Sequence, residues 1–178
     1  MTKQLEKLKS LLFAEESVFV VLDGASVPGL LGKLHELEPV HTCMYRGEIE
    51  PDLAEVAPYL VQLEPDAPFT DWVLTEGWGN HWGVFLTSRT AFGAVHRHLR
   101  KLLIVHDPAG KPLYFRFYDP RVLRVFLPTC ELAELKNMFG SEVAEYWSEG
   151  ENAQTVERFK KSAEGLLDRQ TQPVGEAR

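Results

Sequence analysis

Val18-Phe-Val-Val-Leu22, closed by Asp23-Gly24, is the stretch on which the fold turns. It is short, continuously apolar and rich in β-branched residues, and it ends at a turn signal. Such a run reads as a buried strand. On its N-terminal side Leu5, Leu8, Leu11 and Leu12 recur at helical spacing, which predicts an amphipathic helix over 3–14. On its C-terminal side Leu30, Leu31, Leu34 and Leu37 mark a helix over 28–37, with Ser26 as its cap and Pro39 beyond its end.

Further along, Thr42–Tyr45 and Tyr59–Leu63 read as strands around an acidic loop, Glu48–Glu55. A helix over Pro68–Glu76, capped by Asp66, precedes a strand over Trp82–Thr87. Ser88 is the expected cap of a helix to about Lys101, with Phe92, Val95, Leu99 and Leu102 on one face. Leu102–His106 and Leu113–Tyr118 flank Asp107-Pro-Ala-Gly110 as a β-hairpin, whose alternating Leu113, Phe115 and Phe117 predict one buried face. Asp119-Pro120 is a helix start, cap followed by first-turn proline, and Pro128 ends that helix. A second short helix runs from about Glu131 to Phe139 and stops at Gly140.

After Gly140, Val143–Trp147 and Thr155–Lys160 form two hairpin strands, or one of them is helical. Gln170–Arg178 reads as a loose tail. The pattern gives an α/β (α+β) fold: a mixed central sheet flanked by helices, with a small C-terminal helical or hairpin part. The expected division is a domain over 1–140 and a short extension over 141–178.

The chain has 178 residues, room for one domain that buries about 70% of its unfolded surface. Its 44% hydrophobic and 25% charged content excludes collagen-like and wholly disordered classes. The net charge of −7 argues against a general nucleic-acid coat. That total hides a change of sign: residues 71–140 carry 9 basic and 6 acidic side chains, whereas residues 1–70 carry 5 and 12. A basic stretch in an acidic chain suits an acidic partner surface, although most such charges are simply solvated. Cys43 and Cys130 stand far apart, so disulfides and cysteine zinc sites are not expected. No signal-like or membrane-spanning run is visible, and the expectation is a soluble cytoplasmic protein.

The ingredients of catalysis are present, but no Walker loop, Rossmann fingerprint, GxSxG or HExxH occurs. Gly77-Trp-Gly-Asn-His-Trp-Gly83 is glycine-rich without phosphate-loop spacing, and reads as a tight turn. His96 and His98 are about 200° apart on a helix and cannot chelate one metal. A hydrolase or transferase reading would draw on His81, His96, His98, His106, Asp107, Asp119 and Cys43. A nucleic-acid reading would draw on the basic segment 89–124. Arg121 sits unfavourably in a helix's first turn, which calls for a carboxylate partner within the fold or outside it.

Phe115-Arg-Phe-Tyr-Asp-Pro-Arg-Val-Leu123, followed by Leu127-Pro128, closely resembles the hallmark segment of the type VI secretion effector chaperones, the VgrG adaptor (Tap or TEC) family, long filed as a domain of unknown function. Ala57-Pro-Tyr-Leu-Val-Gln-Leu63, Trp78-Gly79 to Trp82-Gly83-Val-Phe-Leu86, His98-Leu-Arg-Lys101 and Asp107–Gly110 resemble further family landmarks in the same order. The resemblance covers about 17–140. It implies a bacterial cytoplasmic, non-enzymatic adaptor without metal or cofactor, which binds a cognate toxic effector and helps load it onto the VgrG spike, with no nucleic-acid or membrane partner. Tyr118, Asp119, Arg121, Arg124, His98 and Arg100 are the residues it marks as partner-binding or as holding the motif together.

Overall fold

The computed structural model describes residues 3–14 and 16–175. β1 (Ser17–Asp23) lies near the middle of a seven-stranded sheet. β3 (Pro58–Leu63) flanks it on one side and β4 (Gly83–Ser88) on the other, and β2 (His41–Cys43) adds outside β3. Beyond β4 follow β7 (Glu145–Glu149), β8 (Thr155–Lys161) and β9 (Leu167–Pro173). The α/β fold is as expected, but every pairing in this sheet is antiparallel, where the alternation of elements predicted a mixed sheet. β5 (Ile104–His106) and β6 (Pro112–Tyr114) form a separate two-stranded ribbon.

The continuous apolar run in β1 has a direct cause. Side chains alternate across a strand, and both faces of this one are covered. Val18, Val20 and Leu22 face α1 (Lys3–Leu12), α2 (Leu30–Leu37) and α4 (Pro68–Trp72), where they meet Leu8, Leu34 and Phe69. Phe19 and Val21 point the other way, among residues of α5 (Phe92–Leu102), α6 (Pro120–Phe126) and α7 (Leu132–Phe139), including Leu99, Leu123 and Phe139. Full burial of each such side chain contributes about 1.5–3 kcal/mol, so β1 ties the helical layers of both faces together. Gly83 is required where β4 leaves its turn, because a Cβ there would lie 2.2 Å from the Val21 carbonyl oxygen.

Several local expectations are corrected. Ser26 does not cap α2: its hydroxyl donates to Asp23 Oδ2, and the helix starts after Gly29, whose φ of 70° suits glycine. Ser88 belongs to β4; its hydroxyl accepts from Thr90 N and donates to the Glu142 carbonyl, so α5 begins only after Ala91. Asp66 makes no cap; Ala67 precedes α4, whose first turn holds Pro68, and the chain then continues as a π-helical turn over Val73–Gly77. The acidic loop contains the short helix α3 (Pro51–Val56).

The hairpin is shorter than expected, because after Tyr114 the chain turns inward and buries Phe117 and Tyr118. Its expected buried face is absent, since Leu113 is exposed. Residues 170–173, expected as tail, are the second half of β9 and pair with β8 along its length; residues 176–178 lie outside the described residues. Val143–Trp147 and Thr155–Lys160 resolve as strands, and they extend the same sheet that begins at residue 17. Among the described residues no helix is long and apolar enough to cross a membrane.

Candidate functional site

Asp119 is buried and caps α6 as its sequence implies. Its Oδ1 accepts the Arg121 backbone N–H at 2.9 Å and Arg121 Nε at 3.0 Å, while Oδ2 accepts Arg121 Nη2 at 2.7 Å. Burial pushes this carboxyl up, but the side chain and backbone of Arg121, helped by Arg116, hold it below the usual carboxylate range. The carboxylate that Arg121 calls for is therefore supplied from within the chain.

Arg116 reaches from the same segment to Asp23 at the end of β1, 2.5 Å away and 93 residues distant in sequence. Asp23 is buried, and also accepts from Ala25 N and the Ser26 hydroxyl. Tyr118 is buried beside Tyr45 and Arg116; burial, then the Tyr45 charge, pushes its phenol up to about 12. Arg124 Nη1 donates to the Glu149 carbonyl at 2.8 Å, joining α6 to β7. Arg124 thus fastens α6 to β7 and Arg116 ties the preceding segment to the end of β1, whereas Asp119 and Arg121 close the helix's own first turn on each other.

The glycine-rich loop is occupied in the same internal way. Gly79 and His81 adopt positive φ, 89° and 59°, so that their N–H groups converge on the buried Glu149 carboxylate at 2.6 and 3.2 Å. His81 Nδ1 also contacts Glu149 Oε1. The loop is an anion-holding turn, and its anion is the protein's own side chain.

The remaining titratable candidates are dispersed. His96 Nε2 donates to the backbone carbonyl of Cys43 at 3.3 Å rather than meeting the thiol, and burial holds its pKa below the usual imidazole value. Burial and then Glu134 push the Cys130 thiol up to about 11, which keeps it protonated at neutral pH. Asp107 Oδ1 accepts from Ala109 N and Lys111 N and so closes the hairpin turn. No group of three or more His, Cys, Asp or Glu able to hold a metal occurs among the described residues.

His98 and Arg100 lie elsewhere, at the base of the β5–β6 ribbon. His98 Nε2 donates to the Met138 carbonyl at 2.9 Å, and its Nδ1 stands 3.4 Å from Glu142, so it ties α5 to the end of α7. It borders a groove of about 500 Å³ that runs past Phe115, Phe126 and Met138. Arg100 borders a second groove, about 680 Å³, floored by Met44, Leu53 and Leu103.

Between the two grooves stands the ribbon, with Ile104, Val105, Leu113 and Tyr114 all exposed, Tyr114 by 76%. This cluster of exposed apolar side chains is the feature that residue-by-residue reading missed. Its signal was present as strand-forming residues on both sides of a good turn, but exposure is set by what packs against them.

A family model described as Domain of unknown function (DUF4123) matches residues 18–137. No curated protein and no solved structure matches the chain. The matched span begins at β1 and ends in α7; it contains the Arg116–Arg124 segment, the ribbon, the second groove and the lining of the first apart from Met138 and Gly140.

Proposed function

The chain belongs to the DUF4123 family, a domain of unknown function, and from that premise we propose that it is a type VI secretion adaptor: it binds a cognate toxic effector and assists its loading onto a VgrG spike protein. The observation that carries this reading is the ribbon. An isolated two-stranded ribbon is only marginally stable in water. One that leaves apolar side chains open to solvent, beside grooves of 500 and 680 Å³, is built to be covered by another polypeptide. The resemblance of Phe115–Leu123 to the effector-chaperone hallmark supplies the kind of polypeptide. The internal use of the motif's polar groups also fits a binding module, since Asp119 and Arg121 are engaged with each other rather than aimed at a substrate.

Co-expression with candidate effector and VgrG proteins from the same genome tests the proposal. The expected outcome is a complex that survives affinity and size-exclusion steps, and delivery of the effector that stops when the gene is deleted. Delivery that continues without the gene, with no complex formed, defeats the reading.

A further inference from the structure

We propose that the β5–β6 ribbon and its two grooves form a saddle for an acidic amphipathic segment of a partner protein, an inference that rests on the adaptor reading and specifies the chemistry of its ligand. The pairing register sets Ile104 opposite Tyr114 and Val105 opposite Leu113, so the two pairs project from opposite faces of the ribbon. All four side chains are exposed, by 48, 76, 40 and 44% respectively. The ribbon therefore has no buried face, in contrast to every strand of β1, β3 and β4. Lys101 and Ile104 border both grooves, which makes them one surface wrapped around the ribbon's base.

Charge identifies the occupant. Arg46, Arg100, Lys101 and Lys136 line this surface against only two carboxylates, Glu48 and Glu134, in a chain whose net charge is −7. Arg100 Nε is buried there with no hydrogen-bond partner among the described residues. A segment that presents leucine or phenylalanine to the Ile49, Leu53 and Phe126 lining, and glutamate or aspartate to the cations, satisfies both demands. A nucleic-acid backbone satisfies only the second.

The test uses a fluorescein-labelled peptide of about 18 residues, five helical turns, composed of leucine, phenylalanine and glutamate. Its partners are a twin with lysine for glutamate, a twin with serine for the apolar residues, and a single-stranded oligothymidylate as competitor. The glutamate peptide is expected to bind at least about tenfold more tightly than either twin, a difference of about 1.4 kcal/mol. Arg100→Glu with Lys101→Glu should reverse the charge preference, and Leu113→Ser with Tyr114→Ser should weaken binding about tenfold. Because these side chains are wholly or partly exposed, circular dichroism melts should stay near wild type, and Tyr114→Ser alone serves where a double variant melts early.

Equal binding of the glutamate and lysine peptides, indifference to the substitutions, or displacement of the peptide by oligothymidylate at equal concentration overturns the inference. The same variants, carried into the co-expression experiment, separate the two ideas. A natural complex that forms and ignores Arg100→Glu/Lys101→Glu leaves the adaptor reading standing and removes this surface from it. Peptide binding without any natural complex does the reverse.

Discussion

Tyr114 and Phe117 are three residues apart, yet one is 76% exposed and the other fully buried. The contrast extends to the whole of the two stretches that contain them. From Arg116 to Arg124 each polar group named in the motif finds a partner inside the chain: Asp23 for Arg116, Arg121 for Asp119, the Glu149 carbonyl for Arg124. From Ile104 to Tyr114 the large apolar side chains stay 40–76% exposed, although Tyr114 meets the Tyr45 ring edge-on. A recognisable motif and an exposed apolar surface therefore need not coincide. The motif anchors α6 against the sheet, and in doing so it fixes the point from which the ribbon projects.

That contrast can be tested by unequal effects of substitution. Phe117→Ala should cost the most, about 3–5 kcal/mol in urea unfolding, because it empties a fully buried site. Asp119→Ala should cost about 1–2 kcal/mol through loss of the cap and of the Arg121 contacts. Its pH dependence follows from linkage. A carboxyl held below its unfolded value contributes stability that is present above about pH 4 and lost as pH falls through the folded value. The deficit of Asp119→Asn should therefore be full at neutral pH and shrink below about pH 4, read as converging melting temperatures.

Arg124→Ala should cost about 1 kcal/mol by removing the bond to the Glu149 carbonyl. An unchanged melting temperature would mean that this arginine is free for a partner after all. Smallest is Tyr114→Ser, within about 0.5 kcal/mol of wild type. Amide exchange should sharpen the same division. The ribbon amides of Asp107 and Phe115, bonded to Lys111 and Leu103, should exchange far sooner than those of β1. Ribbon amides as protected as β1 would make the two regions one cooperative unit and end the contrast.

Local chemistry was legible in the amino-acid order, and long-range chemistry was not. Asp119-Pro120 announces a helix start because a cap and a first-turn proline act within three residues. Gly140 likewise ends α7 from nearby, while the Glu131–Glu134 capping box that starts it is a finding of the structure. Arg116 and Asp23 are separated by 93 residues, and Glu149 enters the Gly79–His81 turn across about seventy; no periodicity encodes such meetings. The hairpin was readable as a hairpin, since its turn holds Asp107, Pro108 and Gly110. The alternation of Leu113, Phe115 and Phe117 implied a buried face only on the assumption that something in the chain covers it. For the candidate site, His98 and Arg100 lie at the grooves, whereas Asp119 and Arg121 pair with each other at the start of α6, Arg124 bonds β7 and Tyr118 is buried.

The order of strands has a consequence for the chain as it leaves the ribosome. β4 pairs with β1 on one side, and its other edge waits for β7, which is made more than fifty residues later: Ser88 is bonded to Glu142, 54 positions on. Through that interval of synthesis the Phe85–Thr87 edge is open, apolar and able to recruit a strand from another nascent chain. Closing it requires the last fifth of the polypeptide, so a chain cut short near Gly140 would leave this edge unpaired.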